Sequence, residues 1–158
     1  MATVSVIEDL LAALELWIET NSPAKISAME AVKTDQVMED FAAVEISARD
    51  PFSFPQYPVV LISPESIHQE QLSFGQDELT MRVNLVLVVA DGAAEKLDTK
   101  VLRYMEVLRE LVRDDRDMGG NADLISFVDA EFYPTVPGDT SIRLAVATVE
   151  IVKTLANT

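Results

Sequence analysis

The sequence predicts an α+β fold: an antiparallel sheet of four or more strands with helices packed on one face, in the order α-α-β-β-α-β-β. Three observations carry this. Apolar residues recur at three- and four-residue spacing in two well-separated segments, and they alternate every second residue in several others. The alternating segments fall in consecutive pairs on either side of one central helical segment. With 158 residues, 49% of them hydrophobic, the chain has the size and apolar content of one domain, 1–158, with a core of its own.

The first helix is read over residues 1–20. Ser5 and Glu8 stand in the S-x-x-E relation of a capping box, and Ile7, Leu10, Leu11, Leu14, Trp17 and Ile18 share one face. Asn21, Ser22 and Pro23 are expected to end it, because proline cannot continue a helix. Ile26, Met29 and Val32 suit a short second helix; Val37, Met38, Phe41 and Val44 could extend it or switch to a strand. From Arg49 to Pro58, three prolines (Pro51, Pro55, Pro58) impose an extended, aromatic-bearing connector, residues 49–58.

The remaining 57–156 form the predicted β-β-α-β-β core. Tyr57–Ile62 (YPVVLI) is dense in β-branched and aromatic residues, Ser63 and Pro64 interrupt it, and Ile67–Leu72 resumes it. After a turn at Gly75–Asp77, Leu79–Ala90 alternates Met81, Val83, Leu85, Leu87 and Val89 against Arg82 and Asn84, giving a hairpin partner. Asp91 and Gly92 open the best helix, with Leu97, Val101, Tyr104 or Met105, Leu108 and Leu111 or Val112 on one stripe, closed by Gly119 and Gly120. Strands at Leu124–Tyr133 and Thr140–Leu155 follow, joined through Pro134, Pro137 and Gly138. In the last, the apolar phase moves from Ile142, Leu144 and Val146 to Val149 and Ile151, which suggests a bulge or strong twist. That strand would span roughly 50 Å, longer than such a core requires, and a strand that overruns its core commonly pairs with something else.

Composition excludes several function classes. Twelve Lys and Arg against 27 Asp and Glu leave a net charge of −15, which repels phosphate backbones and opposes sequence-independent nucleic-acid binding. The absence of cysteine removes disulfides, thiolate nucleophiles and thiolate metal sites. The longest apolar run, Leu85–Ala90, is far short of the ~20 residues of a membrane-spanning helix, and the acidic first ten residues do not read as a signal peptide. The expectation is a product that stays in the cytoplasm, with no membrane partner.

Chemistry-bearing constellations are weak. His68 is the single histidine; with Glu70 on the same strand face and Asp77 and Glu78 nearby, it is the best metal or general-base candidate, yet it lacks a second His or an H-E-x-x-H spacing. Asp114, Asp115, Asp117, Asn121 and Asp123 resemble a calcium loop at first glance. Aligned from Asp115, however, the EF-hand pattern requires an oxygen ligand at Gly119 and a bidentate Glu at Ser126, and neither is present. Clustered acids at a helix C-terminus also oppose the helix dipole, which an ion or a basic partner could relieve. No nucleophile elbow and no glycine-rich phosphate loop occurs. No catalytic residue, cofactor or metal is therefore assigned, and the reading is a non-enzyme.

Taken together, the Pro-rich lead-in to YPVVLI, the partner strand LTMRVNLVLVVA, the helix containing VLRYMEVLRELV, the Gly-Gly break and the turn-rich PTVPGDTS before RLAVATVEIVKTLA resemble the tail-terminator (tail-completion) proteins of long-tailed bacteriophages. They resemble more loosely the head–tail joining and minor capsid proteins. The resemblance implies an α+β subunit of a homo-oligomeric ring, usually a homohexamer, in the virion tail and assembled in the host cytoplasm. Such a ring caps the tail tube, ends its polymerisation and offers a surface to the head connector or stopper protein. It carries no catalytic or cofactor residues. DNA would pass through the acidic lumen without specific binding. On this reading subunit contacts are expected at Phe52, Phe54 and Tyr57 of the connector and at Val149 and Ile151. The alternatives are a head–tail connector or neck protein, a small acidic enzyme or ligand-binding module using His68, and a DNA mimic that binds a basic partner.

Overall fold

The computed structural model describes residues 6–46, 50–91, 93–133 and 141–156. Ser5 of the expected capping box, Arg49, Gly92 and the Pro134–Pro137–Gly138–Thr140 link lie outside them. The elements run α1 (Val6–Val32), β1 (Ala43–Ile46), β2 (Val59–Ser73), β3 (Gln76–Ala90), α2 (Ala94–Asp114), β4 (Leu124–Tyr133) and β5 (Ile142–Ala156). The architecture is α+β, with two helices on one face of a five-stranded sheet ordered β1-β2-β3-β5-β4.

Two expectations about the first third are corrected. There is one helix where two were expected, since α1 continues through Pro23. Proline removes one backbone hydrogen bond, but Leu14 and Ile18 before it and Ile26 after it are all buried on the same core, which holds both halves in line. The segment after α1 then becomes the strand β1, which pairs in parallel with β2 (Ala43↔Val59 to Ile46↔Ile62), so the sheet is mixed rather than antiparallel.

The rest of the sheet is antiparallel. β2 runs unbroken past Ser63 and Pro64, absorbing the proline in a register shift between Pro64 and Ser66. β3 and β5 pair in continuous register from Gln76↔Ala156 to Ala90↔Ile142. The length of β5 is thus matched residue for residue by β3, and β5 itself carries no bulge. The irregularity lies in its other neighbour, β4, between Phe127 and Asp129. The change of apolar phase in β5 has a different cause: Ala145, Ala147, Val149 and Ile151 face the helices, while Ile142 and Leu144 join a second apolar cluster on the opposite face.

The main core lies between the sheet and the helices. Leu10, Leu14, Ile18 and Ile26 of α1 and Leu97, Tyr104, Leu108 and Leu111 of α2 pack on Met81, Val83, Leu85, Leu87 and Val89 of β3 and on the inner face of β5. Burial of this apolar surface, at about 25 cal/mol per Å2, is the dominant stabilising contribution. Tyr104 is fully buried and donates its hydroxyl to the Glu39 carbonyl oxygen at 2.5 Å, which satisfies the polar end of the ring. Among the described residues the other sheet face is covered only at one end, where Phe54 and Tyr57 of the connector sit over Val59, Leu61, Val88 and Ile142.

Candidate functional site

The surfaces left unpartnered by this architecture are the candidates for function. β1 pairs with β2 only along Val59–Ile62, so the outer part of β2, residues 63–73, has no second strand partner among the described residues. All of these residues are exposed. With the first half of β3, which is itself laddered to β5 and buries Leu79 and Met81 in the core, they form an arm ending in the turn at Phe74 and Gly75, where Gly75 adopts φ 90°, a conformation that favours glycine. Three apolar side chains project from this arm: Ile67, Leu72 and Phe74, the last fully solvent-exposed.

The arm is also acidic throughout. Residues 63–81 contain Glu65, Glu70, Asp77 and Glu78 and no Lys or Arg. Glu70 lies directly opposite Glu78 across the β2–β3 ladder, an arrangement of like charges that weakens a strand pair. The open edges of outer β2 and of β4 are blunted against simple strand addition. On β2 the edge carries Pro64, which has no N–H, and two register shifts; on β4 it carries the shift at Val128, and the Asp129 carboxylate accepts the Ala130 N–H at 2.8 Å.

Beyond the connector, the uncovered sheet face forms a shallow groove of about 400 Å3 between β2 and β4. Its floor holds an Arg82–Glu150 ion pair at 3.2 Å and a hydrogen bond from the Thr148 hydroxyl to Asn84 Oδ1 at 2.9 Å. Glu65, Asp129 and Glu131 on its walls keep the field negative. Such a surface suits contact with a protein or with water rather than with phosphate.

At the opposite edge, beside β4, arginines gather. Arg109, Arg113 and Arg116 surround an apolar floor of Val112 and Phe127 in a groove of about 310 Å3. α2 and the turn after it, residues 94–116, hold Lys96, Lys100, Arg103, Arg109, Arg113 and Arg116, six of the chain's 12 cations, balanced by six Asp and Glu in the same segment. Arg109 pairs with Glu106, and Arg113 approaches Glu110 at 3.8 Å and Asp114 at 3.0 Å; both arginines remain exposed.

The acidic stretch after α2 has structural partners rather than a vacant ligand cage. Asp114 pairs with Lys25 of α1. Asp115 accepts the Trp17 indole N–H at 2.8 Å and the Gly119 N–H at 3.1 Å, and these two bonds hold its carboxyl below the ordinary aspartate range. Asp123 accepts the Thr154 N–H and hydroxyl at 2.7 and 2.6 Å. The unfavourable position of these acids at the C-terminal end of a helix is compensated by Lys25, Arg113 and the Trp17 donor. Near the start of α2, Asp91 accepts the Ala93 N–H at 2.8 Å and faces the nearly buried Lys100 ammonium at 3.4 Å; both lower its pKa. Glu39 lies 3.5 Å from the same ammonium, so the buried cation has two carboxylates.

His68 lies on the exposed arm opposite Thr80. Asp77, expected near it, instead accepts a hydrogen bond from Gln69 at 2.9 Å. Among the described residues no three His, Asp or Glu side chains gather as a metal site. The described helices include none long and apolar enough to cross a membrane.

The residues expected at subunit contacts separate into two groups. Phe52 is about half exposed, whereas Phe54 is buried and Tyr57 packs edge-on against it at 6.3 Å, with its hydroxyl donating to the Pro51 carbonyl at 3.2 Å. Phe54 and Tyr57 thus pin the connector to the sheet. Val149 and Ile151 correct the expectation: both are fully buried beneath the helices and present nothing to a neighbouring subunit. The surface residues missed by sequence reasoning are Phe74, Leu72 and the arginines beside β4. An aromatic residue next to glycine in a predicted hairpin turn was the available signal for Phe74. No family model matches the sequence, and no curated protein matches it.

Proposed function

We propose that this chain is a structural assembly protein, a tail terminator of a long-tailed bacteriophage. It forms a homo-oligomeric ring, of six subunits by the resemblance, that caps the tail tube, stops its polymerisation and presents a surface to the head connector. The observation that carries this reading is the division of the molecule. A helix-covered core is joined to an exposed arm with apolar residues at its tip, while the chemistry-bearing side chains are dispersed or engaged in structural bonds. Exposed apolar residues gathered at one end of a hairpin are a feature of association surfaces. The acidic groove and the net charge of −15 accord with a lumen through which DNA passes without adhering.

The test is elongation of tail tubes assembled from a purified phage tube protein. Added protein should arrest growth and leave one ring on the tube end. Tubes that continue to lengthen with no bound cap would remove the reading. A head–tail connector or neck protein is the second reading, favoured by the same projecting arm, and it predicts binding to the portal side rather than to the tube.

A further inference from the structure

Building on the ring reading, we infer that the acidic arm of one copy docks in the arginine-lined groove beside β4 of the next. Charge complementarity carries the inference. The arm bears Glu65, Glu70, Asp77 and Glu78 with no Lys or Arg, and the groove is walled by Arg109, Arg113 and Arg116; Arg109 and Arg113 also meet Glu106, Glu110 and Asp114 of their own helix, while Arg116 has no ion pair among the described residues. The like-charged Glu70–Glu78 pair is unfavourable in the isolated subunit and becomes favourable when a guanidinium reaches it. The apolar parts match as well: Leu72 and Phe74 at the tip meet the Val112 and Phe127 floor.

Only a second copy can supply the arm. β2 and β4 lie on opposite sides of the sheet, and β3 is laddered to β5 along all its residues, so the arm cannot fold back onto its own groove. A contact between two different surfaces of identical chains is heterologous, and it closes into a ring when the rotation between neighbours divides the circle. The blunted edges fit this mode, because recognition then runs through side chains rather than through strand addition.

The experiment uses charge reversal and cross-linking. Glu70→Lys with Glu78→Lys on one variant, and Arg113→Glu with Arg116→Glu on another, should each weaken self-association about tenfold or more, measured by sedimentation over a concentration series. Mixing the two variants should restore association, since each then offers the charge the other needs. In a chain without cysteine, copies carrying Gln71→Cys should be joined by a short bis-maleimide to copies carrying Ser126→Cys, and neither should cross-link to itself. Rings that persist unchanged in both reversed variants, or cross-links confined to like residues, would overturn the docking while leaving the ring reading intact. Rings absent both in solution and on tube ends would overturn the two together.

Discussion

Replacing Ile151 by alanine separates core from interface in a single measurement. Ile151 is fully buried and lies in register with Met81 on one side and Ile125 on the other, both also fully buried. Truncation removes three carbons from the middle of this row and leaves a void that the ladders on both sides prevent from collapsing. Losses at such sites run to about 2–5 kcal/mol. For a domain of this length each kcal/mol lowers Tm by about 2–4 °C, so the variant should melt roughly 4–20 °C below the native chain. The companion change is Phe74→Ser at the exposed tip of the arm. It should alter stability by no more than about 0.5 kcal/mol and yet weaken self-association. Calorimetry and sedimentation on the two variants give the comparison. An Ile151→Ala protein that melts like the native chain while losing association would refute the assignment of this residue to the core.

Tyr104→Phe removes a buried donor and strands the Glu39 carbonyl, and it should lower stability by about 1 kcal/mol in urea titration; an unchanged midpoint would show that the hydrogen bond contributes nothing. Pro23→Ala should raise Tm, because a helix interior favours alanine over proline by about 3 kcal/mol, an advantage reduced by the freer unfolded chain; a fall in Tm would mean that the proline supports packing that alanine cannot. The carboxyls of Asp91 and Asp115 have pKa values depressed in the folded state, so their contribution is complete above the ordinary aspartate pKa of about 3.9 and disappears as pH falls through the lower folded value. Asp115→Asn should therefore cost stability at pH 6 and progressively less toward pH 3; a constant difference across that range would rule out the carboxylate as the source.

The parts of the fold legible in the sequence are those in which one period dominates. The stripe Leu97, Val101, Tyr104, Leu108 and Leu111 identifies α2, because its opposite face is mostly charged. Residues 124–133 are bounded by turn-forming sequence on both sides, and β4 has those limits. Where tertiary packing overrides local preference, the reading fails. Pro23 signals a stop, yet burial of Ile18 and Ile26 on the same core carries α1 through it. β1 is four residues long and pairs in parallel with β2, a contact that its own residues do not announce. The misplacement of Val149 and Ile151 has a similar origin. β5 is apolar on both faces near Leu144 and Val146, and alternation alone does not say which face the helices cover. The arginine groove was invisible for another reason: it is assembled from α2 and β4, and the charges on α2 read simply as a solvated helix face.

The central claim is that copies of this chain close into a ring that ends a tail tube. Electron microscopy of tubes polymerised with and without the protein tests it directly. The account predicts tubes arrested with one ring of arm-to-groove subunits on a single end, and uncapped growth when Glu70 and Glu78 are both reversed to lysine. Tubes that lengthen equally with and without the native protein, their ends bare, would contradict it.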